Sequence, residues 1–185
     1  MPKGLIQAAM LSAALAGGAA WCQGPVSPHN LAPYVPSPEP VVIRMLEAAE
    51  LRPGETLYDL GCGDGRILII AAQRFRANAV GIELSEKLVN HARSQAAQLG
   101  LEKQIKVVQG DIRTADLRGA DVVTMYLSRL SNEELKPRLI SQLKPGARVV
   151  SHDYPIMGWK PLRVTKVEVL NRLHAIYVYR MPPKE

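Results

Sequence analysis

Residues 58–66, Tyr-Asp-Leu-Gly-Cys-Gly-Asp-Gly-Arg (YDLGCGDGR), set Gly61, Gly63 and Gly65 at alternate positions between Asp59 and Asp64. Glycine gives up more backbone entropy on folding than any other residue, so a run like this marks a place where a Cβ is not tolerated. The stretch leading into it, TLYDLG, is apolar, of strand length, and stops at the glycines. The stretch leaving it, DGRILIIAAQRF (64–75), is apolar nearly all round, as a helix buried against a sheet must be. Strand, glycine loop and buried helix are the opening unit of an alternating chain.

The alternation continues in both directions. PEPVVIRMLEAAEL (38–51) has apolar residues at helical spacing and is ended by Arg52-Pro53-Gly54. NAVGIEL (78–84) reads as a strand, and SEKLVNHARSQAAQLG (85–100) as a helix with Ser85 as N-cap and Gly100 as its stop. IKVVQGD (105–111) and ADVVTMYL (120–127) are further strands. SNEELKPRLISQLKPG (131–146) opens with a capping box from Ser131 to Glu134, and Pro137 is expected to kink this helix or delay its start. ARVVSHD (147–153) is a fifth strand. VTKVEVL (164–170) and HAIYVYR (174–180) alternate and are separated by Asn171-Arg172-Leu173, an antiparallel hairpin. The pattern predicts an α/β fold: a Rossmann-like, doubly wound, mostly parallel sheet with a C-terminal antiparallel hairpin. Ligands of such sheets bind beyond the carboxyl ends of the strands, and the glycine loop lies at the end of the first.

Composition narrows the partners. The chain has 185 residues, a size for one domain, and a formal net charge of +6. It contains no dense Lys/Arg run, so the excess of positive charge reads as a basic soluble surface before it reads as a nucleic-acid track. Cys22 and Cys62 lie in an apolar leader and in the glycine loop, a poor arrangement for a structural disulfide. No CxxC or HExxH motif occurs, and His29, His91, His152 and His174 are scattered along the chain, so no metal is expected. Three regions follow: residues 1–24, an apolar leader that reads as a signal or a membrane anchor; residues 25–40, a proline-rich segment; and residues 41–185, the domain.

The glycine loop selects its ligand by charge. A Walker phosphate cradle needs Lys-Ser/Thr after the glycines, and none is present. In the spacing Gly61-x-Gly63-x-Gly65, Asp64 sits where a dinucleotide pyrophosphate would lie, which is electrostatically unfavourable. A positively charged ligand without phosphate fits better, and S-adenosylmethionine, with its sulfonium and ammonium, is one. Glu83 ends the second strand at the interval expected of an acid that binds ribose hydroxyls, and Asp111 ends the third, where it can accept from an adenine amino group.

YDLGCGDGR, VGIEL, VVQGDI and LKPGARVV resemble, in order and spacing, four motifs of the class I S-adenosylmethionine-dependent methyltransferases, across residues 53–153. The resemblance implies that Gly61, Gly63 and Gly65 line the methionine part of the cofactor, with Asp59 and Asp64 near its ammonium. Glu83 would then hold the ribose, and Asp111 with Ile112 the adenine. The chain lacks the Asn/Asp-Pro-Pro-aromatic clamp of many nucleic-acid and glutamine methyltransferases, having MYLS (125–128) instead. PYVPSP, DLGCGDGR and ARVVSHDYP are similar to a narrower group, the small protein-lysine methyltransferases related to the mitochondrial enzymes that modify ATP synthase or the adenine nucleotide carrier. On that resemblance Tyr34 closes the cofactor pocket, while Tyr126 and the rim from His152 to Tyr154 face the acceptor.

The expected function is therefore N-methylation of a protein lysine by a monomeric enzyme. A small-molecule or RNA methyltransferase with the same cofactor site, and a non-catalytic cofactor-binding protein, are the alternatives, so nucleic acid stays open as a partner. The leader implies membrane association; export after cleavage, or a cytoplasmic location, are the other outcomes.

Overall fold

The computed structural model describes residues 34–183. The leader (1–24), most of the proline-rich segment and Cys22 lie outside the described residues. Residues 34–38 run extended, as Pro36 and Pro38 dictate, and Pro38 then caps α1 (Glu39–Ala48), with Pro40 in its first turn where the missing N–H costs nothing. The chain continues as β1 (Thr56–Leu60), α2 (Arg66–Phe75), β2 (Asn78–Glu83), α3 (Glu86–Gln98), β3 (Ile105–Gln109), β4 (Val122–Met125), α4 (Arg129–Gln142), β5 (Arg148–His152), β6 (Arg163–Val169) and β7 (Arg172–Arg180).

The strands form one seven-stranded sheet in the order β3-β2-β1-β4-β5-β7-β6. The first five are parallel; β7 runs antiparallel to β5 and pairs antiparallel with β6. Successive strands leave β1 in opposite directions, towards β2 and towards β4, so a crevice opens above the carboxyl ends of β1 and β4. Period-two alternation divides the core. Leu57, Val122 and Val150 face a cluster with α1, α2 and α3, while Leu60, Val123 and Val149 face a second cluster with Leu135 and Leu139 of α4.

Two local expectations are corrected. α4 does not begin with a capping box at Ser131 and Glu134: Ser128 is its N-cap, accepting from the Ser131 N–H at 3.1 Å, so the helix starts earlier, and Pro137 lies inside it without delaying it. Ser128 supplies the cap sooner, and Pro137 removes a single ladder donor. The hairpin turn is not Asn171-Arg172-Leu173 either. Val169 pairs with Arg172, leaving Leu170 and Asn171 as a two-residue turn with φ of 50° and 60°. Both residues left-handed is the mirror-image turn that matches strand twist, so Arg172 and Leu173 belong to β7.

Candidate functional site

The crevice is built first by the glycine loop. Gly61, Gly63 and Gly65 have φ of 78°, 55° and 81°, a left-handed path that carries the chain from β1 into α2. Gly61 and Cys62 donate their N–H groups to Ile82 O, which ties the loop to β2. At Gly63 the requirement is also steric, since a Cβ would lie 2.5 Å from Cε2 of the Tyr34 ring. Cys62 is buried and its thiol is pushed up, first by burial and then by Asp59 and Glu83, so it is not a nucleophile.

The four acids named from sequence all reach this end of the sheet, in different states. Glu83 is fixed: its Oε2 accepts from Gly63 N–H at 3.0 Å and its Oε1 from Ser85 N–H at 2.9 Å. Asp59 is 2 % exposed and accepts from Thr124 Oγ1 at 2.8 Å; the β1–β4 register places these two residues side by side. Burial pushes its carboxyl up to about 7, outweighing the Thr124 hydrogen bond, with Glu83 and Asp64 adding to the rise. Asp64 is already engaged by the Arg66 guanidinium at 2.6 Å. Burial opposes its ionisation, but the Arg66 hydrogen bonds outweigh that and hold it below the usual carboxylate range. The charge of Asp64 is thus matched by Arg66, whereas Asp59 accepts from a neutral hydroxyl. Asp111 pairs with Arg113 and is followed by the buried Ile112.

The extended segment before α1 crosses the glycine loop. Tyr34 lies against Gly63, with its hydroxyl near Asp64 and Arg66. Arg66 Nη1 donates to Ser37 O at 3.1 Å, and the Ser37 hydroxyl is 2.9 Å from His152 Nδ1. Residues 34–37 are thus fastened to both α2 and β5.

Beyond β4 and β5 a second cluster forms. Tyr126 stacks on His152, ring centroids 3.9 Å apart, and lies 6.3 Å from Tyr154, which is half-exposed. His152 is fully buried, a correction to its placement on an acceptor-facing rim. Period-two alternation along β5 turns its ring under the crevice, between Ser37 and His174, whose Nδ1 is 2.9 Å from His152 Nε2. Burial, with His174 and Arg172 adding to it, lowers the His152 pKa to about 4 despite the opposing pull of Asp153. The ring is neutral at pH 7 and a weak base. The sequence scatter of the histidines is undone by folding: His152, Asp153 and His174 bring one potential ligand atom each within 4.8 Å of one another.

Thr124, Ser37, His174 and Arg172 were given no role from sequence, and Asp153 only a place in the rim from His152 to Tyr154. Asp153 carried one signal, an acid directly after a strand end; the rest depend on register and on contacts across as many as 115 positions.

A glycine loop whose clearance a Cβ would fill, a fixed carboxylate at the end of β2, a buried carboxylate at the end of β1 and an antiparallel β7 inserted beside β5 define a class I S-adenosylmethionine-dependent methyltransferase. The residues fit the cofactor, since the loop is shaped for close backbone approach and its acids favour a cation. Residues 59–163 match the ANTKMT methyltransferase domain, and the chain belongs to that family. It is 46% identical over 153 residues to a protein-lysine N-methyltransferase of Saccharolobus islandicus, covering 82% of this chain and 94% of that one. It is 35% identical over 132 residues to the adenine nucleotide translocase lysine N-methyltransferase of Mus musculus, covering 71% of this chain and 57% of that one. Among solved structures it resembles an RNA methyltransferase from Salinibacter ruber in complex with S-adenosyl-L-homocysteine, with 43% identity, a TM-score of 0.76, and coverage of 82% of this chain and 96% of that one. The chain is a methyltransferase that uses S-adenosylmethionine.

Proposed function

We propose that the enzyme N-methylates lysine side chains of protein. The observation that carries this reading is the identity with the Saccharolobus protein-lysine methyltransferase across nearly its whole length. The cofactor supplies an electrophilic methyl group on a sulfonium, and transfer to an amine needs no metal. The chain's own residues do the rest. Gly61, Gly63 and Gly65 admit the cofactor's methionine part, Asp59 meets its ammonium, Glu83 holds its ribose, and Asp111 with Ile112 receives the adenine. Tyr34 covers the site, while Tyr126 and Tyr154 line the acceptor end. A lysine amine, with an ordinary pKa near ~10.4, must shed a proton before it attacks, and desolvation beside Tyr126 and Tyr154 favours that loss.

A second reading, RNA methylation, is favoured by the Salinibacter structure. Lysate of the source cells incubated with methyl-labelled cofactor and the full chain separates the two: the lysine reading expects label removed by protease, and label removed by RNase overturns it. We further propose that residues 1–24 hold a monomeric enzyme at a membrane. Carbonate-washed membranes should retain the full chain and lose a chain lacking residues 1–24; equal partitioning of both into the soluble fraction rejects the anchor.

A further inference from the structure

Asp153 follows β5 directly, in a left-handed conformation with φ of 60° that aspartate and asparagine adopt more readily than other side chains. The contacts that hold it there come from β7. The Asp153 N–H donates to Ala175 O at 2.7 Å, and Ala175 N–H donates to Asp153 Oδ1 at 2.9 Å. One carboxylate oxygen is thus committed to the backbone, and the other, Oδ2, is aimed back towards Tyr126. There it accepts from Tyr126 Oη at 3.2 Å and from the Arg172 guanidinium at 3.0 Å, with His174 Nδ1 at 3.3 Å. Burial opposes ionisation of Asp153, but the Ala175 N–H and the His152 and His174 imidazoles outweigh it and hold the carboxyl below its usual range.

Of the groups on Oδ2, Arg172 is the one least fixed. Its side chain is 58% exposed against 13% for Asp153, it opens β7 just after the Leu170-Asn171 turn, and its other contact is Tyr126 Oη at 3.3 Å. The arrangement is an anchored carboxylate beside two tyrosine rings, with a solvent-facing cation resting on it. His152, Asp153 and His174 bring three candidate metal-ligand atoms together, but a divalent ion there would have to displace both a guanidinium and a phenol hydroxyl from the same oxygen. A single positive charge carried on an alkyl stem is what the place already holds.

We propose that Asp153 is the binding group for the acceptor's lysine ammonium, and that Arg172 occupies that position until the acceptor displaces it. This inference rests on the protein-lysine reading above. An incoming lysine exchanges one cation for another, so the carboxylate is never left unpaired. Its stem then passes the half-exposed Tyr154, and its nitrogen arrives at the Tyr126 hydroxyl. The carboxylate favours the protonated amine, so the nitrogen gives its proton to water as it moves off Oδ2. Its lone pair then forms the new N–C bond while the C–S bond of the sulfonium breaks and S-adenosyl-L-homocysteine leaves, and the carboxylate stabilises the positive charge that returns to nitrogen. Asp153 is on this account a catalytic residue, since it touches the reacting nitrogen; Arg172 is a resident counter-ion.

The experiment uses the full chain with D153N and R172A, the source-cell protein fraction as acceptor, methyl-labelled cofactor, and n-butylammonium as a probe of the cation position. Asparagine accepts the left-handed conformation of Asp153, so D153N keeps the backbone. D153N is expected to lower protease-sensitive labelling by about tenfold or more, because one partner of a charge pair is gone. Its dissociation constant for S-adenosyl-L-homocysteine should stay within about twofold of the parent's, which a merely structural role would not predict. R172A is expected to raise the rate at sub-saturating acceptor by about two- to fivefold, the equivalent of one exposed ion pair removed. Butylammonium should compete with acceptor on the parent, compete more strongly on R172A, and have no effect on D153N. Should D153N fail to fold, as seen by melting, the R172A rate and its response to butylammonium decide alone. Protease-sensitive label with D153N unimpaired, or with R172A slower than the parent and indifferent to butylammonium, overturns this proposal while leaving the lysine reading intact. RNase-sensitive label overturns the lysine reading and this inference with it.

Discussion

Above β1, β2 and β3 the crevice is lined mainly by backbone; above β4, β5 and the hairpin it is lined mainly by side chains. On the first side three left-handed glycines, two N–H groups tied to Ile82 O and two more on Glu83 set the shape, and each element lies close in sequence to its partner. On the second, Ser37, Tyr126, His152, Asp153, Arg172 and His174 meet from four separate segments, and most of the contacts join two side chains. Backbone geometry admits one shape of ligand and tolerates no added Cβ. Side-chain chemistry can be changed residue by residue without altering the path of the chain. A fold that keeps its methyl donor and varies its acceptor would be expected to divide its site in this way.

Gly63→Val strikes the backbone-built side hardest. Valine is β-branched and disfavours a φ of 55°, and its Cβ alone would meet the Tyr34 ring at 2.5 Å. Binding of S-adenosyl-L-homocysteine measured by calorimetry should weaken by about a hundredfold or more, since backbone strain of ~1–3 kcal/mol adds to displacement of the covering segment. Far-ultraviolet circular dichroism should stay close to that of the parent, because residues 34–37 and Gly63 itself lie outside the two core clusters. Binding within tenfold of the parent would mean that the loop adjusts, and the contrast between the two sides would fail.

Arg148→Ala tests the opposite end of the sheet, where neither side of the crevice is touched. Arg148 donates from Nε to Ala49 O at 2.9 Å and from both terminal nitrogens to Glu55, with side-chain exposures of 14% and 19%. Removing it leaves Glu55 without its guanidinium, at a cost of about 1–3 kcal/mol. Thermal melting should move down by several degrees while cofactor affinity is unchanged. A loss of affinity comparable to the loss of stability would show that the crevice is not insulated from the base of the sheet.

The same division explains what could be read before folding. Gly61 to Gly65, Glu83 and Asp111 each close a contiguous strand pattern, and the rule that ligands gather at carboxyl ends was enough to bring them together. The β1–β4 neighbour relation follows from topology, but the pairing of Asp59 with Thr124 needs the register, which no local pattern reports. His152 illustrates the limit. Its place in VVSHD marks a strand end, and whether a strand-end histidine faces solvent or lies under the sheet's crevice depends on Ser37 and on His174, 115 and 22 positions away. Likewise Asn171-Arg172-Leu173 shares only Asn171 with the turn, because a turn that opens on Leu170 in the left-handed region has no glycine to announce it.

Asp59 gives the comparison a pH axis. With its carboxyl near 7 in the free enzyme and an ammonium expected beside it in the complex, binding should favour the ionised form and release a proton. Affinity for S-adenosyl-L-homocysteine should be level above pH ~7.5 and fall by up to about tenfold per unit below pH ~7. The stability sign is opposite. A folded carboxyl raised above its unfolded value contributes stability that is full below the unfolded pKa and is lost as pH rises through about 7. Unliganded enzyme should therefore lose melting temperature over that window, and saturating cofactor should flatten the slope. Thr124→Val, which removes the donor to Asp59, should move the affinity break upward. Affinity independent of pH from 6 to 8 in calorimetry would place the ammonium elsewhere.

The smallest effect should come from the hydrogen bond that joins the covering segment to the acceptor side. Ser37 Oγ and His152 Nδ1 are 2.9 Å apart and buried, and the segment they fasten is the one that lays Tyr34 on Gly63. His152 is neutral and its Nε2 faces His174 Nδ1, so the Ser37 bond is a neutral one, worth about 0.5–1.5 kcal/mol. Ser37→Ala should weaken cofactor binding by about three- to tenfold through a looser cover, because Arg66 still holds the Ser37 carbonyl. His152→Gln should do about the same from the other side, and the two together should cost little more than either alone, a coupling comparable to the bond itself. Additive losses in that double-mutant cycle would show that residues 34–37 close over the cofactor without sensing the acceptor side, and that the two halves of the crevice share a sheet but no hydrogen-bonded latch.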